Sequence, residues 1–462
     1  MKKNLLSIVP ILLMSTISTA QNHISAGWSH SLYLCNNGSY ANGWGANTYG
    51  QVGNGANIDI SFPANILNLS NIVSISAGYQ HTLALKNDNT VWAWGDNTDG
   101  QLGNGTNTAS NVPIQIPGLT NIIAVSGGKA GYHSLALKND GTVWTWGRND
   151  FGQLGIGNTN NSNVPVQVPG LSDIIAIAGG EYHSLALKND GTVWAWGRNA
   201  DGQLGNGTNI NSNVPTQVNN LTGIIAIDGG RFFTIALKDN GSVWTFGQNL
   251  YGQLGNGTTI NSNLPVQVSG LNDAIAITGG AFHAVAIKSD STLVSWGRNT
   301  YGNLGDGTTT NSSVPVAVTG LNSVAQIAGG TNYSVAMKSD KSMYAWGRNT
   351  NGQLGDGTLT DKYIPNAVVS LCSNVSVENI SDYDNNWLIY PNPSDGIYLI
   401  QNADNYLNNL NKKIDLYNSN GQLIFSSFNN NYEIDISDQP AGIYYLIISQ
   451  GDVIFKKKLI KD

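Results

Sequence analysis

Charge is what this sequence has least of. Only 11% of its residues are Asp, Glu, Lys or Arg, against about 25% in an average globular chain. The net charge is −7 and no basic cluster exists outside the extreme C-terminus, which excludes a surface that tracks nucleic-acid phosphates. Glutamate is almost missing: Glu181 is the only one before Glu378. Paired carboxylates facing each other across a hydrolytic cleft therefore have little to draw on, and no Gly-x-Ser-x-Gly elbow is present. The two cysteines, Cys35 and Cys372, are too few for a cysteine-rich framework. The only long apolar run, Leu5 to Met14, is too short to span a bilayer comfortably.

What is abundant is repetition. The stretch Glu181-Tyr182-His183-Ser184-Leu185-Ala186-Leu187, then Asp190-Gly191-Thr192-Val193-Trp194-Ala195-Trp196-Gly197, then Gly202-Gln203-Leu204-Gly205 recurs along the chain. Its Trp-Gly landmark falls at Trp44, Trp94, Trp146, Trp196, Trp296 and Trp346, with Phe246 in the remaining place. The spacing is 50 residues, except 52 between Trp94 and Trp146, where Lys129-Ala130 are inserted. Self-similarity at this period marks a repeat architecture, and there are seven copies.

Each copy predicts four strands. Ile174 to Ile177 is an apolar run ending in a Gly-Gly turn, and His183 to Leu187 and Val193 to Gly197 alternate with period two. Asn189-Asp190-Gly191 between them is hairpin chemistry, since these residues accept positive φ cheaply. Pro215 to Val218 reads as an edge strand opening on its proline. Large side chains on one face and small ones on the other suit sheets packed face to face around an axis. The reading is all-β: a seven-bladed β-propeller over residues 21–377, with a linear solenoid as the alternative.

These motifs resemble the regulator-of-chromosome-condensation repeat: Gly-Gly-x-x-His-Ser/Thr-Leu-Ala-Leu, Asp-Gly-x-Val-Trp-x-Trp-Gly, then Gly-Gln-Leu-Gly. The resemblance covers roughly residues 23 to 372 and implies the propeller fold. It is far less specific for function, because one fold hosts many activities. Among bacterial secreted propellers of the family is an inhibitor protein that binds its target through one propeller face. The resemblance therefore implies a non-enzymatic binding or adhesion module, with a protein inhibitor or a glycan-binding protein as the alternative. A polymer-degrading enzyme or a guanine-nucleotide exchange factor is disfavoured.

Both ends of the chain read as export signals. Lys2-Lys3, the apolar run and Ser18-Thr19-Ala20 form a leader, 1–20, cut between Ala20 and Gln21. Beyond a polar linker at 378–386, residues 387–462 predict a small antiparallel β-sandwich. Tyr390-Pro391-Asn392-Pro393, Leu416-Tyr417-Asn418 and Ala441-Gly442-Ile443-Tyr444-Tyr445-Leu446 resemble the C-terminal sorting domain of the type IX secretion system. This implies handling by that machinery and a secreted or cell-surface destination, with no membrane span in the mature chain.

The repeat aligns Cys35 with Lys188 at the end of strand two and Cys372 with Ser172 at the start of strand one. These positions face each other in an antiparallel hairpin, so a Cys35–Cys372 disulfide is expected to weld the first blade to the last. Residues 372 to 378 would then pair with blade one.

Candidate sites fall into two groups. His30, His81, His133, His183 and His283 share one repeat position, filled elsewhere by Phe233 and Tyr333. Imidazoles invite a metal, but equivalent positions in separate blades cannot share an ion, and Phe or Tyr replaces them. The position is structural, and no metal or other cofactor is implied. The second group lies where strand one turns into strand two and where strand three ends, which antiparallel order places on one face. It comprises Trp28, Tyr79, Tyr132, Tyr182, Phe232 and Phe282 in the turn, and Tyr49, Phe151, Tyr251 and Tyr301 in the loop. Arg148, Arg198, Arg298 and Arg348 accompany them. Aromatics with arginine are interface residue types, so this is the expected binding face for an unidentified protein or glycan. The alternative is that the rings tuck between blades and the arginines cap carbonyls. Asp228 and Arg231 depart from the repeat and read as a local ion pair.

Overall fold

The structure, a computed structural model, describes residues 23–129, 131–369 and 371–372, and in the C-terminal part 387–390, 394, 396–402, 413–418, 421–428, 433–450 and 453–461. The leader with its Ala20/Gln21 cut, the stretch 373–377 and the linker 378–386 lie outside the described residues. The chain divides into two units, Met1–Cys372 and Ser373–Asp462.

The first unit holds seven four-stranded antiparallel sheets, each built from consecutive strands. Blade one comprises Ile24–Ala26, His30–Cys35, Tyr40–Gly45 and Ile60–Asn65. Blades two to seven begin at Ile72, Ile122, Ile174, Ile224, Ala274 and Val324. Blade four is representative: Ile174–Gly179, His183–Lys188, Val193–Gly197 and Ser212–Gln217. Its outer strand starts earlier than expected, so Pro215 sits inside it. This strand is the sheet edge, where the missing N–H of proline breaks no ladder bond.

Large-against-small packing builds the ring. Leu135 and Leu137 of blade three meet Ala186 and Trp196 of blade four in one core, and Leu185 and Leu187 of blade four meet Ala236 and Phe246 of blade five in the next. The last interface is of the same kind: Tyr333, Val335 and Met337 of blade seven pack on Ile24, Ala26, Tyr33 and Trp44 of blade one. The ring is therefore closed.

Every interface is also stapled by polar groups. The carbonyl of Gln153, in the Gly-Gln-Leu-Gly loop, accepts from the Trp196 indole at 2.9 Å and from the Ser184 hydroxyl at 2.7 Å. The glycine that closes that loop has a reason of its own: a Cβ on Gly155, whose φ is +70, would lie 2.6 Å from the Trp196 ring. The His133 ring bonds to the same Ser184 hydroxyl at 3.0 Å. His30, His81, His183 and His283 repeat this with Thr82, Ser134, Thr234 and Ser334. All five imidazoles are fully buried, which lowers their pKa to about 3 or, for His133, about 4. The histidine position is a joint between blades.

Cys35 and Cys372 form a disulfide with 5.4 Å between Cα atoms. Cys372 lies in a turn, its N–H donating to Asn42 Oδ1 at 2.8 Å and its carbonyl accepting from the Tyr40 hydroxyl at 2.7 Å. The strand pairing expected for 372–378 falls mostly on residues outside the described ones.

In the second unit, Trp387–Tyr390, Ile397–Asn402 and Glu433–Asp435 form one sheet. Lys413–Asn418, Leu423–Phe428, Gly442–Gln450 and Val453–Lys461 form the other. Tyr398 and Ile434 of the first share a core with Leu416, Leu446 and Leu459 of the second, which makes a small β-sandwich. Lys456-Lys457-Lys458 lie within the final strand.

Candidate binding face

The register fixes which residues share an end of each blade. Gly179 pairs with Ser184 and His183 with Gly197, so the turn after strand one and the loop after strand three lie together. Backbone bonds join them directly: the N–H groups of Arg148, Arg198, Arg298 and Arg348 donate to the carbonyls of Tyr132, Tyr182, Phe282 and Asn332 at 2.8–2.9 Å. Each loop arginine is thus held beside its own blade's turn residue.

The aromatic residues contact one another from blade to blade. Trp28 and Tyr79 have centroids 4.3 Å apart, Tyr79 and Tyr132 4.5 Å, and Tyr182 and Phe232 6.2 Å. Loop rings join in, Phe151 against Tyr182 at 5.0 Å and Tyr251 against Phe282 at 5.6 Å. Phe282 is buried, Tyr49 is exposed and the other rings are half-buried. Burial pushes the Tyr79 and Tyr132 phenols up and takes Tyr182 to about 12, so these hydroxyls stay neutral.

The arginines lie over the rings instead of capping carbonyls. Arg148 is 5.7 Å from the Tyr132 centroid and 5.6 Å from Tyr182. Arg198 stands 4.3 Å from Phe232, and Arg348 5.2 Å from Tyr301. Arg298 reaches Tyr251, Phe282 and Tyr301 at 5.1, 5.4 and 5.7 Å. Contacts of this kind contribute about 0.5–1 kcal/mol when exposed and more when desolvated.

Residues 6–245 match the RCC1-like domain, and residues 240–287, 290–337 and 340–381 match the regulator of chromosome condensation (RCC1) repeat. The chain belongs to the RCC1-like domain family. Residues 388–462 match the secretion system C-terminal sorting domain, which marks this RCC1-like propeller for type IX secretion to the cell surface or beyond. It is similar to the ultraviolet-B receptor UVR8 of Arabidopsis thaliana, 35% identical over 88 residues, 19% of this chain and 20% of the receptor. It is also similar to the probable E3 ubiquitin-protein ligase HERC6 of Homo sapiens, 40% identical over 73 residues, 15% of this chain and 7% of the ligase. The matched stretches therefore span a fifth or less of these relatives. Among solved structures, yeast RCC1 (Prp20) bound to Kap60 superposes with a TM-score of 0.66 at 21% identity, covering 80% of this chain and 91% of that one. Human WBSCR16 superposes at 0.63 with 26% identity, covering 71% and 93%.

One expectation for the RCC1-like face is corrected. Asp228 and Arg231 do not pair with each other. Arg231 pairs with Glu181 of blade four and lies over Trp28, Phe232 and Phe282 at 6.0, 4.8 and 5.3 Å. Asp228 pairs with the inserted Lys129, whose ammonium also donates to Thr278 Oγ1 at 2.6 Å and to the Gly279 carbonyl at 3.2 Å. Asp228 further accepts from Thr278 Oγ1 and the Gly279 N–H, both at 3.0 Å. Two ion-paired ties thus connect blades three, five and six, and blades four, five and one, on the inner side of the ring. The sequence signal for them was departure from the repeat at positions 129, 181, 228, 231 and 278. Burial raises the Glu181 pKa, with Arg231 opposing it.

Among the described residues no group of three or more His, Cys, Asp or Glu could hold a metal ion. No helix among them is long and apolar enough to cross a membrane.

Proposed function

We propose that the protein is a non-enzymatic binding or adhesion module that presents one propeller face at the surface of the cell that exports it. The observation that carries this reading is the half-buried belt of aromatic rings and arginines running from blade to blade on that face. Such residues supply large contact area at small entropic cost, and the stapled ring beneath holds them in place before a ligand arrives. Anchors already in position lose less freedom on binding.

The ligand is a macromolecular surface. Arg231 and Lys129 reach inward across the ring, so contact is made over a broad face. A secreted protein inhibitor or a glycan binder uses the same residues and is the second reading, because aromatic faces also stack on sugars. Residues 1–20 act as the export leader and 387–462 as the tag read by the type IX machinery, with 378–386 between them and the propeller.

The test is capture of ligand from host or neighbour-cell extract by the secreted chain, compared with Tyr132→Ala, Tyr182→Ala and Phe232→Ala combined. Loss of capture at unchanged thermal stability is the expected result. Equal capture by both chains would remove the binding role from this face. Amino-terminal sequencing of the secreted protein checks the cut before Gln21.

A further inference from the structure

Four loop arginines share one position, but the residues after them divide the ring. Arg148 is followed at two residues by Asp150, and Arg198 at three by Asp201. Arg148 pairs with Asp150 at 2.5 Å and Arg198 with Asp201 at 2.6 Å. In blades six and seven threonines stand in this place. Arg298 Nε donates to Thr300 Oγ1 at 3.2 Å, and Arg348 Nε to Thr350 Oγ1 at 3.0 Å. Among the described residues neither guanidinium pairs with a carboxylate, and neither donates any further side-chain hydrogen bond. Both lie within reach of one ring, Tyr301, at 5.7 and 5.2 Å.

A second, independent observation falls beside them. The turn position that carries an aromatic residue in the other six blades is Asn332 in blade seven, and its carbonyl holds the Arg348 N–H at 2.9 Å. Thr331 and Asn332 are only 4% and 6% exposed. Yet Thr331 Oγ1 and Asn332 Oδ1 have no hydrogen-bond partner, a costly state for buried polar atoms. The aromatic belt therefore has a polar notch, edged by two cations that the protein does not neutralise, in a chain whose net charge is −7.

We propose that this notch takes an acidic segment of a protein partner. The inference rests on the reading of this face as a binding surface. A carboxylate side chain accepts from the free guanidinium N–H groups of Arg298 and Arg348, whose planar forks suit it. Tyr301 packs beneath, and arginine beside tyrosine is the residue pair on which protein partners anchor. A net-negative molecule repels polyanions in general, so attraction at this one place confers specificity.

The test measures binding of the full secreted chain to immobilised poly-L-glutamate at low and at physiological salt, with polygalacturonate as the carboxylated glycan. Arg298→Gln combined with Arg348→Gln is expected to weaken poly-L-glutamate binding about tenfold or more. Lys188→Gln combined with Lys238→Gln, which removes the same charge at the opposite ends of two blades, is expected to change it less than about twofold. Thermal unfolding of each variant shows that it is folded. No saturable binding to poly-L-glutamate, or equal loss in both double variants, overturns the proposal. Binding to polygalacturonate alone overturns the protein source in favour of an acidic glycan. If poly-L-glutamate fails while ligand capture still depends on Tyr132, Tyr182 and Phe232, only the acidic class falls. If both fail, the face itself is not the binding surface.

Discussion

The Tyr333 hydroxyl donates to the His30 carbonyl across 2.6 Å, joining blade seven to blade one 303 residues away. The Ser31 hydroxyl in turn reaches Tyr333 Oη at 3.1 Å and the Gln353 carbonyl at 2.9 Å. Tyrosine here does what histidine does at five other interfaces. The seventh interface does without: Phe233 stands in the histidine place, and Ala284 in the place of its hydroxyl partner, inside one apolar core. The ring and the group it meets change together.

That pairing makes a double-mutant prediction. Phe233→His should place an imidazole against Ala284 with no acceptor or donor opposite, costing roughly 1–3 kcal/mol. Adding Ala284→Ser should recover part of the loss. Urea denaturation of the single and double variants measures the coupling, and additive effects would mean that the two positions are independent.

The buried imidazoles predict acid sensitivity. Their folded pKa values, about 3 to 4, lie below the unfolded value of 6.5. The unfolded chain therefore binds more protons between these limits. The stabilisation is complete above pH 6.5 and is lost as the pH falls toward about 3, or about 4 for His133, at up to about 1.4 kcal/mol per pH unit for each histidine. His183→Phe with Thr234→Ala, which copies the apolar interface, should flatten the slope. Equal denaturation midpoints at pH 7 and pH 5 would contradict this account.

The disulfide closes a separation of 337 residues. Cys35→Ser with Cys372→Ser should lower stability by about 3–5 kcal/mol in the chain-entropy picture. Unfolding of reduced and oxidised protein should differ by a similar amount. Peptide mapping without reductant should recover the two cysteines in one linked fragment, and two free thiols would refute the bridge.

Removing the partner of a buried charge is costly. Arg231→Ala leaves Glu181, 4% exposed at its side chain, without its cation and should cost roughly 2–3 kcal/mol. The double variant with Glu181→Gln should be more stable than Arg231→Ala alone. Thermal unfolding of the three proteins decides this.

Much of this was legible from local spacing. The Trp-Gly period, the Asp-Gly hairpins and the large-small alternation led to four-stranded blades, and the antiparallel order of strands placed Tyr182 beside Arg198. The exchange of His for Phe or Tyr marked a structural joint. What spacing could not reveal were partners: Glu181 and Arg231 are 50 residues apart, and Lys129 and Asp228 are 99 apart. A ring brings such positions together only after closure, and the repeat shows merely that each is out of pattern. Proline does not mark the start of the outer strand, which begins at Ser212, three residues before Pro215, because an edge strand accepts proline inside it.

The carbonyl of each Gly-Gln-Leu-Gly loop, or of its Gly-Asn-Leu-Gly variant, is held by the sheet that follows, and Gln353 hands the chain of dependence back to Trp44 at 3.0 Å. A row of sheets has two outermost members from which unravelling starts. A loop of neighbours that each lean on the next has none, so a protease in the surroundings of the cell finds no loose sheet to peel.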